Sequence, residues 1–336
     1  MLSANGQSAG PGPGGGKAGG GSRGGGAFLC RLGLLGALTG LALPVLTPWW
    51  LGFDVFSQFT IHFVILAVAC ALGLFTRQGI RLALPVAIAG VLALSFWAWT
   101  HRVDGFAKPT DDGRIRVMSF NTWARNRDIG AIAAEVRRQK PDMVGMMEFV
   151  PPKERLLGEL KDVLPHNGHC MDLPHCYLAF FSRWPIESIS GKSLWEGPPY
   201  LHAVVRTPRG RVHVFVVHTL RFPWLGSQMK QMRAMARLVN RVKGPKIVMG
   251  DFNSTPFSSM LLAFERKTRL PLRTYVPSWP AWAGPLPQLA IDHILASPEF
   301  RTVSGPYIGD NAGSDHYPVI LELETRGPDT GNASPR

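Results

Sequence analysis

The stretch KIVMGDFNSTPF, residues 246–257, decides how the chain is read. Lys246, Ile247, Val248 and Met249 form a short strand-type run, and Gly250 frees the backbone to turn sharply after it. Asp251 and Asn253 follow at once, two oxygen-bearing side chains one residue apart. Gly, Asp, Asn, Ser and Pro are also ordinary turn residues, so this pair alone is compatible with a plain strand end. The deciding question is whether other apolar runs in the chain end the same way.

They do. IRVMSF ends in Asn121, DMVGMM in Glu148 and RVHVFVV in His218. DHILA opens with Asp292, and the last run, PVILEL, is preceded by Ser314, Asp315 and His316. Each of these has a bland explanation as a cap or a turn residue. Together they gather carboxylates, amides and imidazoles at strand ends. Hard oxygen donors suit Mg²⁺ or Mn²⁺ better than zinc. Histidines beside them add proton transfer near neutral pH.

Two further runs, CYLAFFS and HAVVRT, also read as strands, and helical periodicity predicts helices over 129–139, 153–164, 227–242 and 258–266. Helices early and late around a block of strands from 177 to 218 predict an α/β domain with two sheets. Lys230, Arg233, Arg237 and Arg241 make a basic stripe on the third helix. Such a stripe is usually a solvated face, with phosphate or lipid contact as the alternative.

The 336 residues carry a formal net charge of +13 and are 46% hydrophobic. That is ample for a core, and the basic excess suits an anionic partner: nucleic acid, phospholipid or a phosphorylated solute. Residues 1–27 are a Gly-rich tail that cannot bury apolar surface, and 327–336 read as a second disordered tail. Between them, residues 28–100 hold three apolar segments, about 28–46, 56–75 and 80–99, each near the length of a bilayer-crossing helix. Lys17, Arg23 and Arg31 flank the first, and Arg77 and Arg81 separate the second from the third. The positive-inside rule then predicts a multi-pass cell (inner) membrane protein with residues 101–326 extracytoplasmic. In an oxidising compartment Cys170 and Cys176 would pair; His166, His169 and His175 nearby do not match a zinc spacing.

The ordered stretches VMSFNTW, PDMVGMMEF, FFSRWPI, VFVVHTL, VMGDFNSTP, AIDHILAS and GSDHYPV resemble the endonuclease/exonuclease/phosphatase superfamily, the deoxyribonuclease I-like phosphoesterases. The resemblance runs from about 114 to 324 and implies a four-layer α/β/β/α sandwich for residues 101–326. It implies Glu148 as principal ligand of Mg²⁺ (or Mn²⁺), with Asn121 and Asp315 close to the metal. Asp251 would deprotonate the attacking water and Asn253 would hold it or the phosphate. His316, with its tautomer set by Asp292, would contact a phosphate oxygen, and His218 would lie near the leaving group. Met147 stands where many members have Gln.

These roles make chemical sense for an anionic ester that repels hydroxide. The expectation is a membrane-anchored Mg²⁺-dependent phosphodiesterase, its substrate a nucleic acid or a phospholipid headgroup. Trp224, Trp279 and Trp282, on two loops, are the candidate substrate contacts. A phosphomonoesterase of inositol or sugar phosphates, and a non-catalytic membrane-tethered binding module, are the alternatives.

Overall fold

The computed structural model describes residues 21–78, 81, 83–100, 113–192, 197–284 and 288–325. Most of the expected N-terminal tail, the expected C-terminal tail and the linker 101–112 lie outside the described residues.

Four helices come first: α1 (Gly21–Ala42), α2 (Asp54–Ser57), α3 (Thr60–Gln78) and α4 (Ala83–Thr100). The remainder is β1 (Arg114–Asn121), α5 (Ile129–Gln139), β2 (Met143–Met147), α6 (Leu156–Glu159), β3 (His166–His169), β4 (Leu178–Ser182), β5 (Ile186–Lys192), β6 (Tyr200–Thr207), β7 (Gly210–His218), α7 (Leu225–Arg241), β8 (Lys246–Asp251), α8 (Ser259–Thr268), β9 (Asp292–Ala296), β10 (Phe300–Ile308) and β11 (Val319–Thr325). The strands form two sheets, ordered β10-β11-β1-β2-β4-β3 and β5-β6-β7-β8-β9. Both are mixed: β1 runs parallel to β2, β7 parallel to β8, and the other pairs are antiparallel.

Three apolar clusters explain the layering. Val117, Met143 and Phe180 of the first sheet pack with Val214, Val216, Met249 and Ile294 of the second, so the sheets lie face to face. The outer face of the first sheet is covered by Ile132, Val136, Leu156 and Leu160, and that of the second by Met232, Met235, Val239 and Phe264. Burial on both faces accounts for the near-continuous apolar runs of the central strands.

Gly250 differs from its expected role. It lies inside β8, paired with Val217, and a Cβ there would sit 1.9 Å from the Val217 carbonyl oxygen. With φ at +149°, glycine is required by a close approach between strands, not by a turn after one. The predicted helix over 153–164 shrinks to a 3₁₀ turn, Pro151–Arg155, and the short α6. Three strands had no strong sequence signal: β3, β5 and β10. All three are edge strands. β5 has four exposed residues in a row, and β10 holds Gly305, Pro306 and two register shifts, so edge chemistry hides the period-two pattern.

The expectation of three membrane spans is corrected. Among the described residues one stretch, Gly25–Leu46, is long and apolar enough to cross a membrane. A second exists only if Leu51–Ser57 and Thr60–Thr76, bent by 60°, are counted as one span, and Ala83–Leu92 is shorter. The bend falls where this segment meets the sandwich. Asp54 is fully buried and accepts from Ser258 Oγ at 2.7 Å and Ser259 N at 2.8 Å, which caps α8. Gln58 Oε1 accepts from Thr255 N at 2.7 Å. The segment between α1 and α3 is thereby tied to the sandwich, and α3 starts afresh at Thr60. Cys170 and Cys176 form a disulfide, as their proximity predicted.

Candidate active site

Register places most of the site. His218 pairs with Asp251 across the β7–β8 ladder, and Asp251 with Asp292 across β8–β9, so three strand ends present these side chains in a row. On the first sheet Asn121 pairs with Met147, and Glu148 follows directly. The two sheets meet at one rim. Asn121 Nδ2 donates to Glu148 Oε1 at 3.3 Å and across the sandwich to Asp251 Oδ2 at 3.1 Å.

The backbone is strained where these groups sit. Trp123, Glu148 and Asn253 have φ of 54°, 54° and 46°, a left-handed region that non-glycine residues rarely occupy. Specific contacts hold it. Ala124 N donates to Glu148 Oε2 at 2.6 Å, and Asn253 N to Asp251 Oδ1 at 2.8 Å. The ammonium of Lys153, wholly buried, donates to the carbonyls of Trp123 (2.6 Å) and Glu148 (2.9 Å). Lys153 thus braces two left-handed residues at once. Burial lowers its pKa to about 8 although the Glu148 charge opposes this. Nothing in FVPPKER marks this lysine among ordinary surface lysines, which explains why it escaped the sequence reading.

Around the second sheet, His316 Nδ1 lies 2.8 Å from Asp292 Oδ2, which also accepts from Ser278 Oγ at 2.6 Å. Asp251 Oδ2 faces His218 Nε2 at 3.5 Å and His316 Nε2 at 3.9 Å. Burial would lower the His316 pKa, but the charge and hydrogen bond of Asp292, with Asp251 and Asp315 behind it, push it up to about 9. Burial and the neighbouring Asp292 charge raise Asp251, against the pull of both histidines. For Glu148, burial is outweighed by the Ala124 N–H, His218 and the Asn121 amide, so it lies below the usual carboxylate range. Asp315 is raised, by burial first and then by Glu148, with His316 opposing.

This donor set fits a divalent cation. The oxygens Asp315 Oδ1 and Asp292 Oδ1 are buried with no hydrogen-bond partner among the described residues, and Asp315 is repelled by Glu148. A cation between carboxylates would relieve both conditions. One geometric cluster is Asp251, Asp292 and His316, whose ligand atoms lie within 4.8 Å of one another. These three are buried and already hydrogen-bonded, His316 to Asp292 and Asp251 to Asn121 and Asn253, whereas Glu148 and Asp315 are half-buried. Mg²⁺ retains several waters, so the half-buried pair suits it better. Asn121 faces the carboxylates with its amide nitrogen, while its oxygen accepts from Trp123 N at 3.1 Å. In this arrangement the amide is a hydrogen-bond donor to both carboxylates.

Of the three tryptophans, Trp279 reaches the site: its ring is 6.4 Å from that of His316, and its N–H favours the Asp315 carboxylate. Trp224 and Trp282 are exposed, at 62% and 78%. Asn253 Nδ2 is turned to Thr219 O at 3.0 Å.

Two face-to-face sheets with acids, amides and histidines on a shared rim define a metal-dependent phosphoester hydrolase. The chain belongs to the Endonuclease/Exonuclease/phosphatase family, whose model matches residues 118–316. A comparison with curated proteins finds no match. Solved structures agree on the fold. An endonuclease/exonuclease/phosphatase from Beutenbergia cavernae is 22% identical, with TM-score 0.52 over 65% of this chain and 73% of that one. Humanized D. rerio TDP2 is 13% identical, with TM-score 0.52 over 63% of this chain and 99% of that one. The human Nocturnin catalytic domain, with bound sulfate, is 16% identical, with TM-score 0.51 over 63% and 94% respectively.

Proposed function

We propose that the chain is a membrane-anchored, Mg²⁺-dependent phosphodiesterase that directs water in line at phosphorus. The observation that carries the chemistry is the bridge from Asn121 to both Glu148 and Asp251, which sets a low-pKa carboxylate and a high-pKa carboxylate side by side. Two acids pushed apart in this way suit two roles. Glu148 and Asp315 would hold the metal, which when bound offsets the developing negative charge. Asp251 would orient the attacking water and take its proton, because a base with a raised pKa accepts one more readily. Asn253 would place that water or the phosphate. His316, kept cationic by Asp292, would donate to a phosphate oxygen. His218, partly exposed beside Asp251, would protonate the departing alkoxide.

The anchor reading has its own support. α1, α3 and α4 pack through small residues: a Cβ on Gly33 would come within 2.6 Å of Cys70 Sγ, and one on Gly90 within 2.6 Å of a Val68 methyl. The outward faces are apolar, with Leu29, Leu35, Ile65, Leu72, Ile88 and Leu92 all exposed. Asp54 and Gln58 hold the α1–α3 connection against the sandwich, which suits a common side of the bilayer for both.

The test is the full chain in mild detergent, assayed with Mg²⁺, Mn²⁺ or EDTA. Substrates should span plasmid DNA, RNA, choline- and glycerol-headgroup lipids, and phosphomonoesters. Metal-dependent turnover of a diester is expected. Turnover of monoesters alone would favour the monoesterase, and turnover of none would favour the binding module.

A further inference from the structure

The basic stripe of α7 has no part in the catalytic rim. Lys230, Arg233, Arg237 and Arg241 are all exposed and form no ion pair among the described residues. One of them enters a cavity of about 690 Å³ between the end of the membrane-length helix and the sandwich. Its lining is largely apolar: Pro44, Val45 and Leu51 on one wall, Met229, Met260 and Phe264 among those on the other. Two cations, Arg233 and Lys267, complete it, and no carboxylate lines it. Chemically this is an apolar slot with a positive mouth.

Its position supplies the occupant. The wall formed by residues 44–51 continues directly from Gly25–Leu46, the stretch long enough to cross a bilayer. Trp49 and Trp50 beside it are exposed at 78% and 63%, as tryptophans at a membrane interface are. The opposite wall includes Ser259 and Met260, the start of α8, which Asp54 holds by its caps to Ser258 and Ser259. The same two contacts hold the connection after the membrane-length helix beside α8. A ligand there needs a hydrocarbon part at bilayer depth and an anionic head at the surface. We infer that the cavity is a binding site for one anionic phospholipid, its phosphate between Arg233 and Lys267 and an acyl chain along Val45 and Leu51. The bound lipid is a fixture that seats the catalytic domain on the bilayer, separate from any substrate at the rim.

The inference rests on the anchor reading, which alkaline carbonate extraction tests separately: release of the full chain from membranes would remove the anchor itself. The lipid site is tested on delipidated full chain in detergent by native mass spectrometry, titrating phosphatidylglycerol or phosphatidylcholine of equal chain length. One tightly held phosphatidylglycerol per chain is expected, preferred over phosphatidylcholine by about tenfold or more. The double variant Arg233→Gln/Lys267→Gln should lose that preference while its melting temperature holds, since both side chains are exposed. Lys161→Gln, outside the lining, should keep it. Equal retention of the two lipids, or an unchanged preference in the double variant, overturns the site while leaving the anchor intact.

Discussion

Asn121 Nδ2 sits 3.1 Å from Asp251 Oδ2 and 3.3 Å from Glu148 Oε1, so one amide group joins the rims of two separate sheets. The two carboxylates it joins are shifted in opposite directions: Glu148 downward, by the Ala124 N–H and His218 against burial, and Asp251 upward, by burial and Asp292. That division underlies the catalytic predictions.

Glu148→Gln should fold normally and lose activity by about a hundredfold or more, because a neutral amide binds Mg²⁺ far more weakly than a carboxylate. A Mg²⁺ titration of the variant checks this. Near-normal rates at saturating Mg²⁺ would remove Glu148 from the metal site.

His218→Ala should separate two leaving groups. General acid catalysis is worth roughly 10²–10⁴-fold when an alkoxide departs, and far less for a nitrophenolate. The variant is expected to lose that factor on a natural diester and little on a nitrophenyl ester. Equal losses on both, with a lowered melting temperature, would mark the histidine as structural.

The His316–Asp292 pair predicts a pH dependence of stability. The folded-state pKa is raised from 6.5 to about 9, so the stabilisation is complete below about pH 6.5 and is lost as pH rises through 9. In EDTA, the wild type should lose on the order of 3 kcal/mol across that window. His316→Asn should flatten the profile there. Parallel profiles in urea melts at stepped pH would contradict the pairing.

Asp54→Ala should destabilise the full chain by about 1–2 kcal/mol, the usual value of a lost N-cap. Asp54→Asn should recover most of it. Differential scanning in detergent reads the loss, and faster proteolysis within residues 47–59 would show where it occurs.

Gly250→Ala should be far more severe. A Cβ 1.9 Å from the Val217 carbonyl cannot be accommodated without parting β7 from β8, the two strands that carry His218 and Asp251. Loss of soluble folded protein is expected, and a variant with an unchanged melting temperature would refute the close approach.

How much of this was legible in the chain follows from the range of each interaction. Alternation and helical periodicity are local, so eight of the strands and the helices over 129–139, 227–242 and 258–266 were readable to within a few residues. Polar residues at strand ends were readable for the same reason. The edge strands β3, β5 and β10 were not, since half-solvated edges have no one-sided pattern to read, whereas the edge strand β9 is buried along its length and was readable. Hydropathy named the apolar stretches near the N-terminus, but not the 60° bend between Leu51–Ser57 and Thr60–Thr76 or the meeting of Asp54 with Ser258 and Ser259 far along the chain. Lys153 as a brace and the amide of Asn121 as a donor are of that same kind. Each is set by which partner the packed fold delivers. A chain's own sequence dictates what every residue offers; only the tertiary structure decides what it meets.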